Sequence, residues 1–97
     1  MKMFFIVYAA YFDERITDTL KKAGYKAYTK MHDVTGEGEE SEPKLGTSYS
    51  PGKNKTIWMA ISEDKVKNLI ELIRKIKAEH PGAGLRVFTF PLAEEKV

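Results

Sequence analysis

The sequence predicts an α+β fold of order β-α-β-β-α-β, a four-stranded antiparallel sheet with two helices on one face. Three observations predict it. Apolar runs of strand length occur at Met3–Ala9, Lys55–Ile61 and Leu85–Leu92, with a fourth, alternating segment at Tyr25–His32. Two stretches with apolar residues at helical spacing follow Met3–Ala9 and Lys55–Ile61. Glycine and proline mark the joints, and 97 residues suffice for one core but not two, so residues 1–97 are expected to form a single domain.

Met3 to Ala9 is continuously apolar and aromatic, the pattern of a strand buried on both faces. Asp13 can cap a helix in which Ile16, Leu20 and Ala23 share a face, with Phe12 as the preceding staple residue and Gly24 as terminator. Tyr25 to His32 alternates, Ala27, Thr29 and Met31 on one side and Lys26, Tyr28 and Lys30 on the other, as a half-exposed strand does. Lys55 to Ile61, around Trp58, runs directly into a helix capped by Ser62, with Glu63 and Asp64 in its first turn where carboxylates suit the helix dipole. Val66, Leu69, Ile70, Ile73 and Ile76 form the apolar stripe of that helix, and His80-Pro81-Gly82-Ala83-Gly84 ends it. Leu85 to Leu92 is the last strand, followed by a charged tail. This order is that of the ferredoxin-like, split β-α-β arrangement.

Strands one, three and four are apolar at both odd and even positions: Phe4, Ile6 and Tyr8 against Phe5 and Val7, and Trp58 against Ile57 and Met59. A sheet with one wetted face would alternate cleanly, so the uncovered face is expected to pack against other copies of the chain.

Composition excludes several function classes. Without cysteine there is no disulfide, thiolate nucleophile or Cys-ligated metal. The 16 basic and 14 acidic residues are interleaved and give no nucleic-acid footprint. The strand-three segment also lacks the K/R-G-F/Y pattern by which a fold of this order stacks RNA bases on its open face. The opening apolar run is too short to span a bilayer and lacks a small-residue cleavage site, so a cytoplasmic protein is expected. Abundant Lys, Glu and Ile with no Gln suggest a thermophilic source.

From Asp33 to Asn54 no apolar periodicity survives, and a connection of this length inside a small domain points to a functional loop. Thr35-Gly36-Glu37-Gly38, Leu45-Gly46-Thr47-Ser48 and Pro51-Gly52-Lys53-Asn54 supply bare backbone N–H groups, hydroxyls and an ammonium, which cradle phosphate or carboxylate oxygens. Gly36, Gly38, Gly46, Thr47, Gly52, Lys53 and Asn54 are therefore the candidate ligand-binding residues of the loop. The GxGxxG and GxxxxGK[ST] spacings are absent, which excludes a Rossmann or P-loop site. His32 and His80 lie far apart and are read as surface or capping residues, so no metal site is assigned. No Ser–His–Asp grouping recommends itself, and Asp13-Glu14, Glu39-Glu40 and Glu94-Glu95 read as solvated charge, so no catalytic residue is assigned. Two rival functions remain: a small ferredoxin-like enzyme with a pocket on the aromatic sheet face, and a trimer resembling the CutA-type cation-tolerance proteins that binds metal through His32 or His80.

Taken together these segments resemble the P-II-like superfamily of small trimeric regulators. Asp13-Glu14-Arg15-Ile16 through Ala23-Gly24-Tyr25-Lys26 is similar to the P-II first helix and its turn, and Val34-Thr35-Gly36-Glu37-Gly38 to the VxGxG entry of the T-loop. Val87-Phe88-Thr89-Phe90-Pro91-Leu92-Ala93-Glu94 resembles the IFVxPVEE strand. Pro43-Lys44-Leu45-Gly46-Thr47 and Pro51-Gly52-Lys53-Asn54 resemble the loop of an uncharacterised P-II-like subgroup. The resemblance implies a homotrimer that binds a small anionic effector between subunits, signals through the loop and regulates a protein partner. It implies no cofactor other than a bound nucleotide, and no enzymatic activity. By position Gly36, Gly38 and Arg86 would line the cleft, Arg86 standing where a family lysine meets phosphate. Glu79-His80-Pro81-Gly82 replaces the family's arginine after the second helix, and lost cations weaken phosphate binding.

Overall fold

The computed structural model describes residues 1–36 and 53–97. Strands β1 (Lys2–Ala9), β2 (Thr29–Val34), β3 (Asn54–Ile61) and β4 (Arg86–Pro91) form one antiparallel sheet of order β2-β3-β1-β4. Helices α1 (Asp13–Lys22) and α2 (Glu63–Glu79) connect β1 to β2 and β3 to β4. β3 thus lies between β1 and β2, and β1 between β3 and β4, which is the expected ferredoxin-like split β-α-β topology.

The pleat of β1 divides its residues between two environments. Phe4, Ile6 and Tyr8 are fully buried beneath the helices, together with Ile57, Met59 and Ile61 of β3. Ile16 and Leu20 of α1, and Leu69, Ile73 and Ile76 of α2, close the core from above. Val66 and Ile70, also on the expected stripe, are only half-buried at its margin. Each large side chain buried in this way contributes about 1.5–3 kcal/mol.

Several boundaries differ from expectation. A short 3-10 turn, Ala10–Phe12, carries the chain straight from β1 into α1, so Asp13 is the first helical residue and not the cap. A second 3-10 turn, Pro81–Ala83, follows α2, and His80 ends that helix by donating its backbone N–H to Ile76. β2 begins at Thr29, not Tyr25. Asp33, Val34 and Asn54, expected in the loop, belong to strands. The β2–β3 register shifts between Met31 and Val34, where Asp33 takes a left-handed φ of 57°, a β-bulge that the alternation of β2 does not announce. The alternation also leaves open which side of β2 faces inward. The structure turns Tyr28 and Lys30 towards the helices, while Met31 is exposed.

Leu69 has no exposure and sits where α2 meets the sheet, so Leu69→Ala should cost about 2–5 kcal/mol. Urea unfolding at fixed protein concentration checks this; a loss below about 1 kcal/mol would show that the site collapses around the cavity.

Candidate functional site

The segment from 37 to 52 joins β2 to β3, and its two described ends meet at one end of the sheet. Val34 pairs with Asn54, which also pairs with Ala9 at the end of β1. The backbone carbonyl of Lys53 accepts from the N–H of Ala10 at 2.8 Å, and the Lys53 ammonium lies 3.7 Å from the Asp33 carboxylate. Both of those side chains are substantially exposed, so the ion pair is weak and open to exchange for another anion. Gly36 packs close to Asn54: a Cβ on Gly36 would stand 3.3 Å from the Asn54 side-chain nitrogen. Gly36, Lys53 and Asn54 are thus brought together. Gly38, Gly46, Thr47 and Gly52 lie outside the described residues.

Arg86 opens β4 and pairs with Val7, so it lies towards the same end of the sheet, with its side chain exposed. It is on the opposite edge. β3 and β1 stand between β2 and β4, and three strand spacings separate the two edges by about 14 Å. Strand order alone therefore sets Arg86 and the end of β2 that leads into Gly36 at opposite edges.

Beneath the loop base lies a polar cluster that sequence reasoning missed. Asp13, taken there for solvated charge, turns its carboxylate inward from the first turn of α1. Oδ1 accepts from the Tyr8 hydroxyl at 2.5 Å and from the Lys30 ammonium at 2.8 Å, with the Thr17 hydroxyl at 3.5 Å. Oδ2 lies 3.4 Å from the Lys55 ammonium. Lys30 also donates to the Thr17 hydroxyl at 2.9 Å. The three charged side chains are each under a quarter exposed. Burial alone would raise the Asp13 pKa, but the Lys30 and Tyr8 hydrogen bonds and the two ammonium charges outweigh it and bring the carboxyl down to about 2. Burial, and then the bond to Asp13, push the Tyr8 phenol up. A lysine in an alternating strand opposite an aromatic strand was the available signal, since a lysine turned inward needs an anion.

Elsewhere, Phe5 stacks on Trp58 with ring centroids 4.3 Å apart and lies 6.1 Å from Phe88, so three strands contribute to one aromatic row on the open face. Phe88, Phe90 and Met31 on that face are about half exposed. His80 ends α2 and packs its ring against Phe12 at a tilt, the centroids 4.8 Å apart. Among the described residues no three His, Asp or Glu side chains gather as a metal site. A groove of about 410 Å³ between Lys2 and α2, lined by Val66, Ile70 and Arg74, lies at the other end of β1 and holds none of the expected site residues. No described helix is long and apolar enough to cross a membrane.

A ferredoxin-like sheet with one helical layer, an apolar open face and a long segment rooted beside Gly36 and Asn54 defines a small α+β domain of the split β-α-β class. Residues 1–97 match the family model for nitrogen regulatory protein P-II, and the chain belongs to that family. It is 31% identical over 80 residues to the nitrogen fixation nifHD region GlnB-like protein 1 of Methanothermococcus thermolithotrophicus, covering 81% of this chain and 75% of that one. Among solved structures it is similar to CPII, a nitrogen regulatory PII-like protein of Thiomonas intermedia K12. One CPII structure, bound to ADP, AMP and bicarbonate, superposes with a TM-score of 0.74 at 22% identity, over 99% of this chain and 94% of that one. Another, bound to ADP and bicarbonate, gives 0.72 at 25% identity, over 92% and 82%. The protein is a P-II-like regulatory protein.

Because the Asp13 pKa falls from 3.8 to about 2 on folding, its ionised form stabilises the fold by roughly 2 kcal/mol. This contribution is complete above the unfolded value and is lost as pH falls from 3.8 towards about 2. The stability difference between the protein and Asp13→Asn, from urea unfolding, should therefore be largest near neutral pH and shrink across that window.

Proposed function

We propose that the protein is a homotrimeric sensor, with 1–97 as its single domain, that binds a small anionic effector of the adenine-nucleotide class at clefts between subunits. Gly36, Lys53 and Asn54 of one copy and Arg86 of the next would face the ligand. Gly38, Gly46, Thr47 and Gly52 would contribute from the segment that they occupy. Occupancy would be reported through residues 33–54 to a regulated protein partner, as order changes in a loop commonly do. The reading gives the protein no catalytic step, and sets it in the cytoplasm beside the nucleotide pool.

The observation that carries this reading is the placement of Arg86 and Gly36 at one end of the sheet but on opposite edges. Strand order sets them apart within one chain, whereas two copies meeting edge to edge would bring them together. The aromatic row supports the assembly: Phe5, Trp58, Phe88 and Phe90 form an apolar face that a second and third copy would cover. Support for the ligand class comes from the similar CPII structures bound to ADP and bicarbonate.

Native mass spectrometry should give a trimer, and Phe88→Glu should shift it to monomer, because a carboxylate without a partner in an apolar interface costs several kcal/mol. The lone tryptophan, Trp58, reports the same event by a red shift of its emission on dissociation. A monomeric parent protein would overturn the shared-cleft site. Calorimetric titration should detect ADP, and Arg86→Ala should weaken it roughly tenfold or more, the worth of one charge-assisted hydrogen bond. Absence of ADP binding to the trimer would overturn the ligand class and leave the assembly standing.

A further inference from the structure

The ladder between β2 and β3 is broken where it matters most to the segment that they carry. Met31 pairs with Thr56 and Val34 with Asn54, but the register shifts between them, and Asp33 leaves the extended region. A bulge of this kind loosens regular pairing, so backbone hydrogen bonds alone leave the last residues before Gly36 weakly tied to β3. Lys30 of β2, just below the break, and Lys55 of β3, within it between Thr56 and Asn54, reach the same carboxylate, at 2.8 and 3.4 Å. Tyr8 of β1 and Thr17 of α1 complete the shell around it.

An apolar cluster of equal volume would hold these elements together without the cost of desolvating three charges. What the charged cluster adds is register. A slip of β2 or β3 by one residue would carry Lys30 or Lys55 to the open face and leave Asp13 buried without a cation. We propose that Asp13 is a positioning residue: its single carboxylate clamps β2 and β3 across the bulge, and so fixes the spacing at which Gly36, Lys53 and Asn54 are presented to the ligand. The ligand part of this proposal rests on the site proposed above; the clamp itself does not.

Lys55→Met is the cleaner test, because Lys30 still neutralises Asp13 while the link to β3 is cut. In the ligand-free protein, hydrogen exchange of the amides from Val34 to Gly36 and Lys53 to Lys55 should speed up, with β1 and α2 unchanged. ADP affinity should fall on the order of two- to thirtyfold, the range for residues that couple to a site without touching it. Asp13→Asn should act in the same way. The Asp13→Asn/Lys55→Met double variant should bind ADP no more weakly than Asp13→Asn alone, since Lys55 acts through Asp13. Additive losses would make Lys55 a direct ligand contact and overturn the clamp. Unchanged exchange at the loop base in folded Lys55→Met would overturn it too. If Asp13→Asn does not fold, the Lys55→Met exchange pattern decides alone. If the parent protein binds no ADP, the ligand reading fails, and a local exchange increase still supports the clamp while its absence refutes it.

Discussion

The rest of the structure depends on the two-sided burial that β1 demands. Phe4, Ile6 and Tyr8 are fully buried on the helix side of a strand whose other residues, Met3, Phe5 and Val7, are also apolar. Placing such a strand at an edge would leave its backbone groups and its apolar faces in water together, so it sits inside the sheet, between β3 and β4. With every neighbouring pair antiparallel, β1 runs parallel to β2 and β3 parallel to β4, so each of those pairs is joined by a crossover helix with one strand between its members, which is the split β-α-β connection.

That topology has a consequence for function. The two edges are left to β2 and β4, the strands that begin or end beside the candidate site residues. In the proposed reading one chain would offer part of a site at each edge, and the apolar face would give copies a reason to gather. Asp13 answers the two inward lysines locally, while Arg86, like many of the surface lysines, is exposed and takes part in no ion pair among the described residues.

Much of the fold was legible because its signals are local and periodic. The continuous apolar run of β1, the i, i+3 and i+4 stripe of α2 and the turn residues around His80 and Gly24 each act within a few residues. The element order that they define matches a single known arrangement. The bulge in β2, the two 3-10 turns and the inward face of β2 were not legible, because each is decided by partners distant in the chain. Asp13 shows the point most clearly. Beside Glu14 at a helix start it looks solvated; its actual surroundings come from Tyr8, Thr17, Lys30 and Lys55, up to 42 residues away.

By itself, then, the sequence determined the order of elements, the helix-facing core and the existence of a second apolar face, since periodicity and side-chain size act through local geometry. The resemblance in its motifs added the family, which the family model bears out. Tertiary structure alone decided where the candidate residues stand: Gly36 beside Asn54, Arg86 three strands away, and one carboxylate spanning three strands and a helix. The physical reason is that strand order and register place side chains by hydrogen bonding between segments remote in the chain, and a pairing of that kind leaves no periodic trace in either segment.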